Sequence, residues 1–306
     1  MTPWKSSKLT WFITGASSGF GLELARHALE NGHNVIATSR DPRKVTDLVS
    51  EVESKGGRWL ALDVDDPNSG LVIDKLEKEG TDIDILVNNA GCSIHGPAES
   101  FPEDEVRRQM ETVYFGPYRL IRTVLPYMRQ RRQGLILNIG SGAGVSGRES
   151  MGIYGASKAA MDGMNQVQVT RYNNLTRIGL TRILAREVAP FNIRTLTVQL
   201  GGFDTNFTNA LKLSSVPFPQ DYVGGTTDQI AQSLQGSNFK PDGDHRKATR
   251  VIYQVAVGEG VGEGKEDERV LPLGRDMCLL MDNVAKEMQR QMEVFEDVGR
   301  DVYIDR

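Results

Sequence analysis

The stretch that decides the fold runs from Leu9 to Gly21 and reads Leu9-Thr10-Trp11-Phe12-Ile13-Thr14-Gly15-Ala16-Ser17-Ser18-Gly19-Phe20-Gly21. Its first six residues are apolar or β-branched, as in a buried strand, and the segment after Gly21 has the apolar periodicity of a helix. The three glycines let the backbone approach a pyrophosphate closely, and the helix N-terminus offers it unpaired N–H groups. Strand, glycine turn and helix in this order indicate a dinucleotide-binding turn, although the spacing alone also fits a plain tight turn.

Apolar runs alternate with helical patterns along the rest of the chain. We expect strands near residues 9–14, 34–38, 58–62, 83–87, 134–140, 192–198 and 269–273. Such alternation predicts an α/β fold, a Rossmann-like doubly wound parallel sheet with helices on both faces, in a single domain. Within this domain we expect a dinucleotide-binding core with the catalytic residues (1–205), a substrate lid (206–250) and a C-terminal strand and helix (251–306).

Composition fits an enzyme that acts on small molecules. The chain has 306 residues, of which 39% are hydrophobic and 25% charged, which suffices for one large core. A formal net charge of −4 argues against nucleic acid as a partner. The 2 cysteines and 4 histidines are scattered and give neither a disulfide framework nor a metal site. No apolar run is long enough to span a membrane, so we expect a cytoplasmic protein.

A second motif has the chemistry of proton transfer. Tyr154 and Lys158 are four residues apart, and Ser141 follows an apolar strand thirteen residues before Tyr154. Positions i and i+4 share a helix face, so the Lys158 ammonium is expected to lie beside the phenol and favour its ionised form. A Tyr-x-x-x-Lys pair also occurs by chance in helices, and Ser141 could simply cap the turn that follows it.

Taken together and in this order, the motifs resemble the short-chain dehydrogenase/reductase family along nearly the whole chain. Further matching pieces are Asn88-Asn89-Ala90-Gly91, Asp63 and Gly201-Gly202, each placed after a predicted strand. The resemblance implies hydride transfer between a nicotinamide cofactor and a carbonyl or secondary alcohol. In that reaction Tyr154 would exchange the oxygen-bound proton, Ser141 would hydrogen-bond the substrate oxygen, and Lys158 would lower the phenol pKa and hold the nicotinamide ribose.

The resemblance also implies which residues surround the cofactor. Asp63 and Val64 would border the adenine, the Asn88–Gly91 turn would flank the cofactor, and Thr205 would touch the nicotinamide end. The full expected set is Gly15, Ser17, Ser18, Gly19, Phe20, Gly21, Ser39, Arg40, Asp63, Val64, Asn89, Ala90, Gly91, Tyr154, Lys158 and Thr205.

The end of the second predicted strand bears on the choice between NAD and NADP(H). An acidic residue there would accept hydrogen bonds from a ribose 2′-hydroxyl and repel a 2′-phosphate, but this chain has Ser39 and then Arg40. A guanidinium suits phosphate, so NADP(H) is the predicted cofactor. The alternatives are that Arg40 pairs with Asp41 or another carboxylate, or stacks on adenine without discriminating.

Two departures from the family pattern bear on activity. Val113 stands where family members commonly carry an asparagine that holds a water of the proton relay, and valine neither donates nor accepts a hydrogen bond. Sixteen extra residues, Met164 to Gly179, interrupt the helix expected after Lys158. They are either a natural insertion or, as a hypothesis, a translated intron. Because this helix often forms the subunit interface in the family, a homo-oligomer is possible but doubtful, and a catalytically impaired cofactor-binding protein is the alternative function.

The sequence indicates the chemical character of the substrate only through the segment that would cover it. The segment after Thr205 is rich in loop residues and carries aromatic and aliphatic side chains that would cover an apolar substrate, or would simply pack. These side chains are Phe207, Leu211, Leu213, Val216, Phe218, Tyr222 and Phe239. The last helix has apolar residues at helical spacing from Met277 to Phe295, which we interpret as core or interface packing.

Overall fold

The computed structural model describes residues 4, 6, 8–162, 180–205, 210–235 and 241–302. Its centre is a parallel sheet of seven strands in the order β3-β2-β1-β4-β6-β7-β9. The strands, in sequence, are β1 (Thr10–Ile13), β2 (Asn34–Ser39), β3 (Arg58–Ala61), β4 (Ile85–Asn88), β5 (Ser93–His95), β6 (Gly134–Ile139), β7 (Ile193–Leu200), β8 (Leu211–Leu213) and β9 (Val270–Leu273). All seven strands expected from the sequence are in the large sheet, so the predicted doubly wound architecture is confirmed.

Helices cover both faces of the sheet. One face is packed by α1 (Gly19–Glu30), α2 (Thr46–Ser54) and α9 (His245–Val257). The other is packed by α3 (Gly70–Lys78), α5 (Gly116–Arg131), α6 (Gly152–Asp162) and α7 (Leu180–Val188). The remaining helices are α4 (Glu103–Met110), which continues through a π-helical turn (Glu111–Phe115) into α5, and α8 (Thr226–Gln235), α10 (Arg275–Val294) and α11 (Glu296–Arg300).

The apolar alternation of β1 explains how the two layers of core form. Trp11 and Ile13 belong to the cluster on the α1 face, and Phe12 belongs to the cluster on the opposite face. All three are 0% exposed. Trp11 stacks on Tyr253 of α9 with ring centroids 5.7 Å apart, which joins the C-terminal half of the chain to the first strand. Because strand residues alternate between faces, one short strand anchors helices on both sides of the sheet.

The strand order reverses at β1, which pairs with β2 on one side and β4 on the other. Such a switch point opens a crevice at the carboxyl ends of the strands, where ligands of doubly wound sheets bind. The turns after β1, β4 and β6 therefore meet at one edge of the molecule. An open depression lined by Thr10, Asp84 and Gln133 lies at the opposite, amino edge of the sheet.

The expected lid contains more regular structure than the sequence suggests. Strand β8 pairs with β5 in a small parallel sheet, so the segment after Thr205 is attached to the loop that follows β4. Helix α8 follows, and from His245 onward the chain forms α9, which packs in the core. Phe207, Phe239 and the insertion from Met164 to Gly179 lie outside the described residues.

The C-terminal segment begins in the sheet and ends on the surface. Strand β9 pairs with β7, and Met277 in the first turn of α10 is buried. The other apolar residues of α10 are half-buried or exposed, so the expected core packing holds for Met277. None of the helices in the described part of the chain is long and apolar enough to cross a membrane.

Candidate active site

The glycine turn after β1 is shaped by two close backbone approaches. Gly15 has a left-handed φ of +65°, and a Cβ there would lie 2.8 Å from the Cα of Ala90. A Cβ on Gly21, in the first turn of α1, would lie 2.4 Å from Asn89 Nδ2 and 2.6 Å from Gly15 O. These distances are well inside van der Waals contact, so glycine is required at both positions. The turn thus lies directly against the loop after β4.

Hydrogen bonds lock the same two segments together. Asn89 Nδ2 donates to Thr14 O at 2.9 Å and to Gly15 O at 3.0 Å. In return, Thr14 Oγ1 accepts from the backbone N–H of Asn89 at 2.9 Å and from that of Ala90 at 3.0 Å. The sequence predicts that Asn89 flanks a cofactor, and its side chain donates within the protein, where it fixes the shape of the turn.

Helix α1 begins at this turn, at the edge of the sheet where the carboxyl end of β1 lies. Ser18 precedes the helix and its side chain makes no capping hydrogen bond, and the first helical turn carries no acidic residue. The positive end of the helix dipole is therefore not offset by a carboxylate of that turn. Ser17 and Ser18 are half-buried beside it.

Two other residues of the expected cofactor set lie next to the turn. A Cβ on Gly19 would be 3.6 Å from Cβ of Thr205, an ordinary contact that places Thr205 beside the start of α1. The ring of Phe20 is buried and packs edge-on against Phe203 with centroids 5.4 Å apart. Phe20 therefore offers only its backbone to a ligand.

The end of β2 carries the residues expected to select the cofactor. Ser39 is buried, and its Oγ accepts from Trp59 Nε1 at 3.0 Å. Arg40 is exposed. Asp41 forms its ion pair with Arg43, with Asp41 Oδ1 2.8 Å from Arg43 Nε, and the Arg43 guanidinium lowers the pKa of Asp41. Asp41, which the sequence offered as a partner of Arg40, thus pairs with Arg43.

Asp63 and Val64 follow β3 at the same edge of the sheet. Asp63 is exposed, and its Oδ1 accepts from the backbone N–H of Asp65 at 3.1 Å. Val64 packs its side chain into the core, and its carbonyl accepts from Arg119 Nη1 at 3.1 Å. Asp63 therefore presents its side chain to solvent at this edge, whereas the Val64 side chain does not.

Ser141, Tyr154 and Lys158 converge at the end of β6. The Ser141 hydroxyl is hydrogen-bonded to the Tyr154 phenol and also accepts from the backbone N–H of Ala143 at 3.2 Å. Both roles that the sequence left open for Ser141, a turn cap and a partner of the phenol, are thus combined in one side chain. Lys158 Nζ donates to Ile139 O at 2.5 Å. Tyr154 and Lys158 are 5% and 7% exposed, so the group is nearly closed to bulk water.

The electrostatics of the phenol differ from the sequence-based expectation. Burial raises the pKa of Tyr154 to about 12, and the hydrogen bond with Ser141 only partly opposes this rise. Burial also lowers the pKa of Lys158. The prediction that the Tyr154 pKa is lowered is therefore wrong for the phenol in its protein environment. Burial disfavours the phenolate, and the Lys158 ammonium donates to a backbone carbonyl. At neutral pH the phenol is therefore protonated and suited to donate a proton.

Val113 occupies the middle of the π-helical turn between α4 and α5. Its side chain is 2% exposed. The turn packs against α6, the helix that carries Tyr154 and Lys158. π-Helical turns are frequent at functional sites, yet here the central side chain has no hydrogen-bonding group. Val113, the departure noted in the sequence, is therefore located beside helix α6.

Gln109 is a structural support of the site that sequence reasoning missed. It is 1% exposed on α4, and its Nε2 donates to Cys92 O at 3.0 Å and to Ser157 Oγ at 3.2 Å. Its Oε1 accepts from the backbone N–H of Ile94 at 3.2 Å. Gln109 thereby ties the loop after β4 to helix α6. No local signal marks it, because it lies among mostly charged residues of α4.

Asp162 is a second buried polar residue that the sequence did not reveal. It lies four residues beyond Lys158 on α6, is 4% exposed, and accepts from Gln199 Nε2 on β7 at 2.8 Å. Burial raises the pKa of Asp162 to about 6. Its i+4 spacing from Lys158 is the one signal that could have indicated it.

Known proteins share the sequence pattern and the fold of this chain. The family model of short chain dehydrogenases matches residues 10–174. The oxidoreductase claN of Passalora fulva is 40% identical over 228 residues, which cover 74% of this chain and 96% of the relative. A 3-ketodihydrosphingosine reductase of Bacteroides thetaiotaomicron is 38% identical over 225 residues, 73% of each chain. A crystal structure of a short-chain dehydrogenase from Streptomyces avermitilis superposes with a TM-score of 0.81 at 30% identity, covering 97% of this chain and 99% of that one. Structures of the same fold include complexes with NADPH and with NAD, so the fold alone accepts either cofactor.

Proposed function

Because the chain belongs to the short-chain dehydrogenase/reductase family, we propose that it is an NADP(H)-dependent oxidoreductase. It would transfer a hydride between nicotinamide and the carbonyl or secondary alcohol group of a small apolar substrate. The observation that carries the proposal is the buried contact between Ser141 and Tyr154 beside Lys158, at the sheet edge that also bears the glycine turn. We assign Ser141, Tyr154 and Lys158 as the catalytic residues.

The residues present fit a dinucleotide. Gly15 and Gly21 keep side chains out of the turn, and the N-terminus of α1 offers N–H groups and a positive dipole end to a pyrophosphate. Preference for NADP(H) over NAD is supported by exposed Arg40 and by the ion pair of Asp41 with Arg43, which removes the nearest carboxylate from competition for Arg40. Bound NADPH would supply the hydride.

The protein groups would handle the proton and the developing charge. A phenol with its pKa raised to about 12 is neutral at pH 7, so Tyr154 can donate its proton to the substrate oxygen during reduction. The Ser141 hydroxyl would hydrogen-bond the same oxygen and hold it near the phenol. Lys158 would hold the nicotinamide ribose, the other role that the family resemblance implies for it.

Support for an apolar substrate comes from the segment attached by β8. Leu211, Leu213 and Phe218 are half-buried there. A Cβ on Gly96, just after β5, would lie 3.5 Å from Phe218 Cε1, so this aromatic ring packs against the loop that follows β4. The name of the Bacteroides relative specifies reduction of a keto group on a long-chain compound, which agrees with an apolar carbonyl substrate.

The cofactor assignment is tested by titrating the wild type and Arg40→Ala with NADPH and NADH and following cofactor fluorescence. Loss of a charge-assisted hydrogen bond of about 1.5–3 kcal/mol should weaken NADPH binding by about 10- to 150-fold and leave NADH binding unchanged. Arg290→Ala is the matched control, since Arg290 is an exposed arginine of α10 paired with Glu287. Equal preference for the two cofactors in wild type and Arg40→Ala would contradict the assignment.

A further inference from the structure

The end of β6 is held at two points by helix α6. Lys158 Nζ donates to Ile139 O at 2.5 Å, and the carboxylate of Asp162 faces the backbone N–H of Ser141, one helical turn further along. A Cβ on Gly140 would lie 2.7 Å from Asp162 Oδ2, so the carboxylate lies directly against the Gly140–Ser141 peptide. Lys158 and Asp162, two oppositely charged side chains of α6, thereby hold the segment 139–141. The last residue of this segment, Ser141, carries the hydroxyl that contacts the Tyr154 phenol.

Asp162 is itself held from the neighbouring strand. Gln199 of β7 is 0% exposed, and its Nε2 donates to Asp162 Oδ2 at 2.8 Å. A buried carboxylate is costly, and an apolar residue of similar volume often serves stability equally well. A site that keeps the carboxylate, with Gln199 Nε2 as its donor and the Ser141 N–H facing it, therefore indicates a use for its charge or its hydrogen bonds.

We propose that Asp162 is a positioning residue for the reaction proposed above. Through the Ser141 N–H it fixes the orientation of the Ser141 hydroxyl, and through its charge it keeps the Lys158 ammonium ionised. The inference rests on the proposed function, because it assigns Asp162 a role through two residues of that reaction. Asp162 is also a buried polar group near Lys158, whereas Val113 has no group that could form a hydrogen bond.

The titratable groups that act on this cluster are few. Asp162 and Cys92 act on both Lys158 and Tyr154, and Lys158 acts in turn on Asp162. Burial raises the pKa of the Cys92 thiol, which keeps it neutral near pH 7. Burial raises the pKa of Asp162 to about 6, against the opposing effects of Lys158 and Gln199. Asp162 is therefore the group of this cluster that changes charge between about pH 5 and 7.

The test compares kcat, KM and pH profiles of the wild type and Asp162→Asn in NADPH-linked reduction. The substitution keeps the side-chain shape and removes the charge. We expect kcat to fall by about 10- to 100-fold, since small misplacements of catalytic groups cost this much. The KM for NADPH should stay within about twofold of wild type because Asp162 does not belong to the expected cofactor set, and the acidic limb of the wild-type kcat profile, near pH 6, should disappear.

Asp84→Asn is the matched control. Asp84 is a half-buried carboxylate whose pKa is also raised by burial, and its Oδ2 accepts from the backbone N–H of Thr10 at 2.9 Å, but it lies at the amino edge of the sheet. Its substitution should leave kcat and the pH profile unchanged. Gln199→Leu is the second variant: without its donor the pKa of Asp162 should rise, so the acidic limb should move to higher pH.

The outcomes separate this inference from the function on which it rests. Wild-type turnover with an unchanged kcat and an unchanged acidic limb in Asp162→Asn would overturn the positioning role alone. A loss in Asp162→Asn that Asp84→Asn reproduces would also overturn it, since a general effect on the fold would then explain both. A wild type that binds NADPH and reduces no carbonyl compound would overturn the proposed function and this inference together.

Discussion

Replacing Gly21 with alanine tests how the cofactor site is built. The new Cβ would lie 2.4 Å from Asn89 Nδ2 and 2.6 Å from Gly15 O, about 1 Å inside ordinary contact. The Asn89 amide must then leave its acceptors Thr14 O and Gly15 O. Each hydrogen bond contributes about 0.5–1.5 kcal/mol, so the clamp loses about 1–3 kcal/mol. If cofactor binding must restore that geometry, the Kd for NADPH should rise by about 5- to 150-fold.

Fluorescence titration with NADPH measures this change, and circular dichroism checks that the variant is folded. Gly299→Ala is the control, because Gly299 lies in α11 and a Cβ there would meet nothing within 4 Å. We expect its Kd to equal that of the wild type. A folded Gly21→Ala protein that binds NADPH as tightly as the wild type would refute the argument that the contact between the two loops shapes the site.

Two further predictions concern buried charges. The folded-state pKa of Asp162 is raised from 3.8 to about 6, so the stability that the neutral carboxyl contributes is complete below about pH 3.8 and is lost as the pH rises through 6. Urea unfolding should show the wild type losing about 1 kcal/mol between pH 5 and pH 8 relative to Asp162→Asn, and parallel curves would disprove the shift. Glu77, whose side chain is 1% exposed, pairs with Arg131 at 2.5 Å, so Glu77→Gln should cost about 3 kcal/mol. Glu103→Gln breaks the exposed pair with Arg107 and should cost less than about 1 kcal/mol; equal losses in urea unfolding would contradict this ranking.

The sequence predicts the large sheet and the glycine turn because both depend on local patterns. Each strand of the large sheet is a short apolar run, and β1 carries its glycine turn within the same thirteen-residue stretch. The pair β5 and β8 was not predicted, because each strand has three residues and their pairing joins His95 to Leu213 across more than a hundred residues. The π-helical turn around Val113 likewise has no sequence signature, since its residues suit an ordinary helix.

The proposed trio Ser141, Tyr154 and Lys158 could be recognised in the sequence because its spacing is local, but its electrostatics could not. Whether the Tyr154 pKa rises or falls depends on burial and on where the Lys158 ammonium is bound, and both follow from packing. The partner of Asp162 is Gln199, which is 37 residues distant. In the sequence, Gln199 looks like any other inward-facing residue of β7, so the pair could not be recognised. Long-range contacts between buried polar groups are therefore the part of this site that sequence reasoning misses.

The central claim is that the Tyr154 phenol donates the proton in a nicotinamide-linked reduction. The most direct measurement is NADPH oxidation with a panel of ketones and aldehydes by the wild type and Tyr154→Phe, with the Kd for NADPH determined in parallel. Because general acid catalysis contributes about 10²- to 10⁴-fold, we expect a loss of turnover of that size in Tyr154→Phe, with little change in NADPH binding. A Tyr154→Phe protein that retains turnover near the wild-type rate would contradict it.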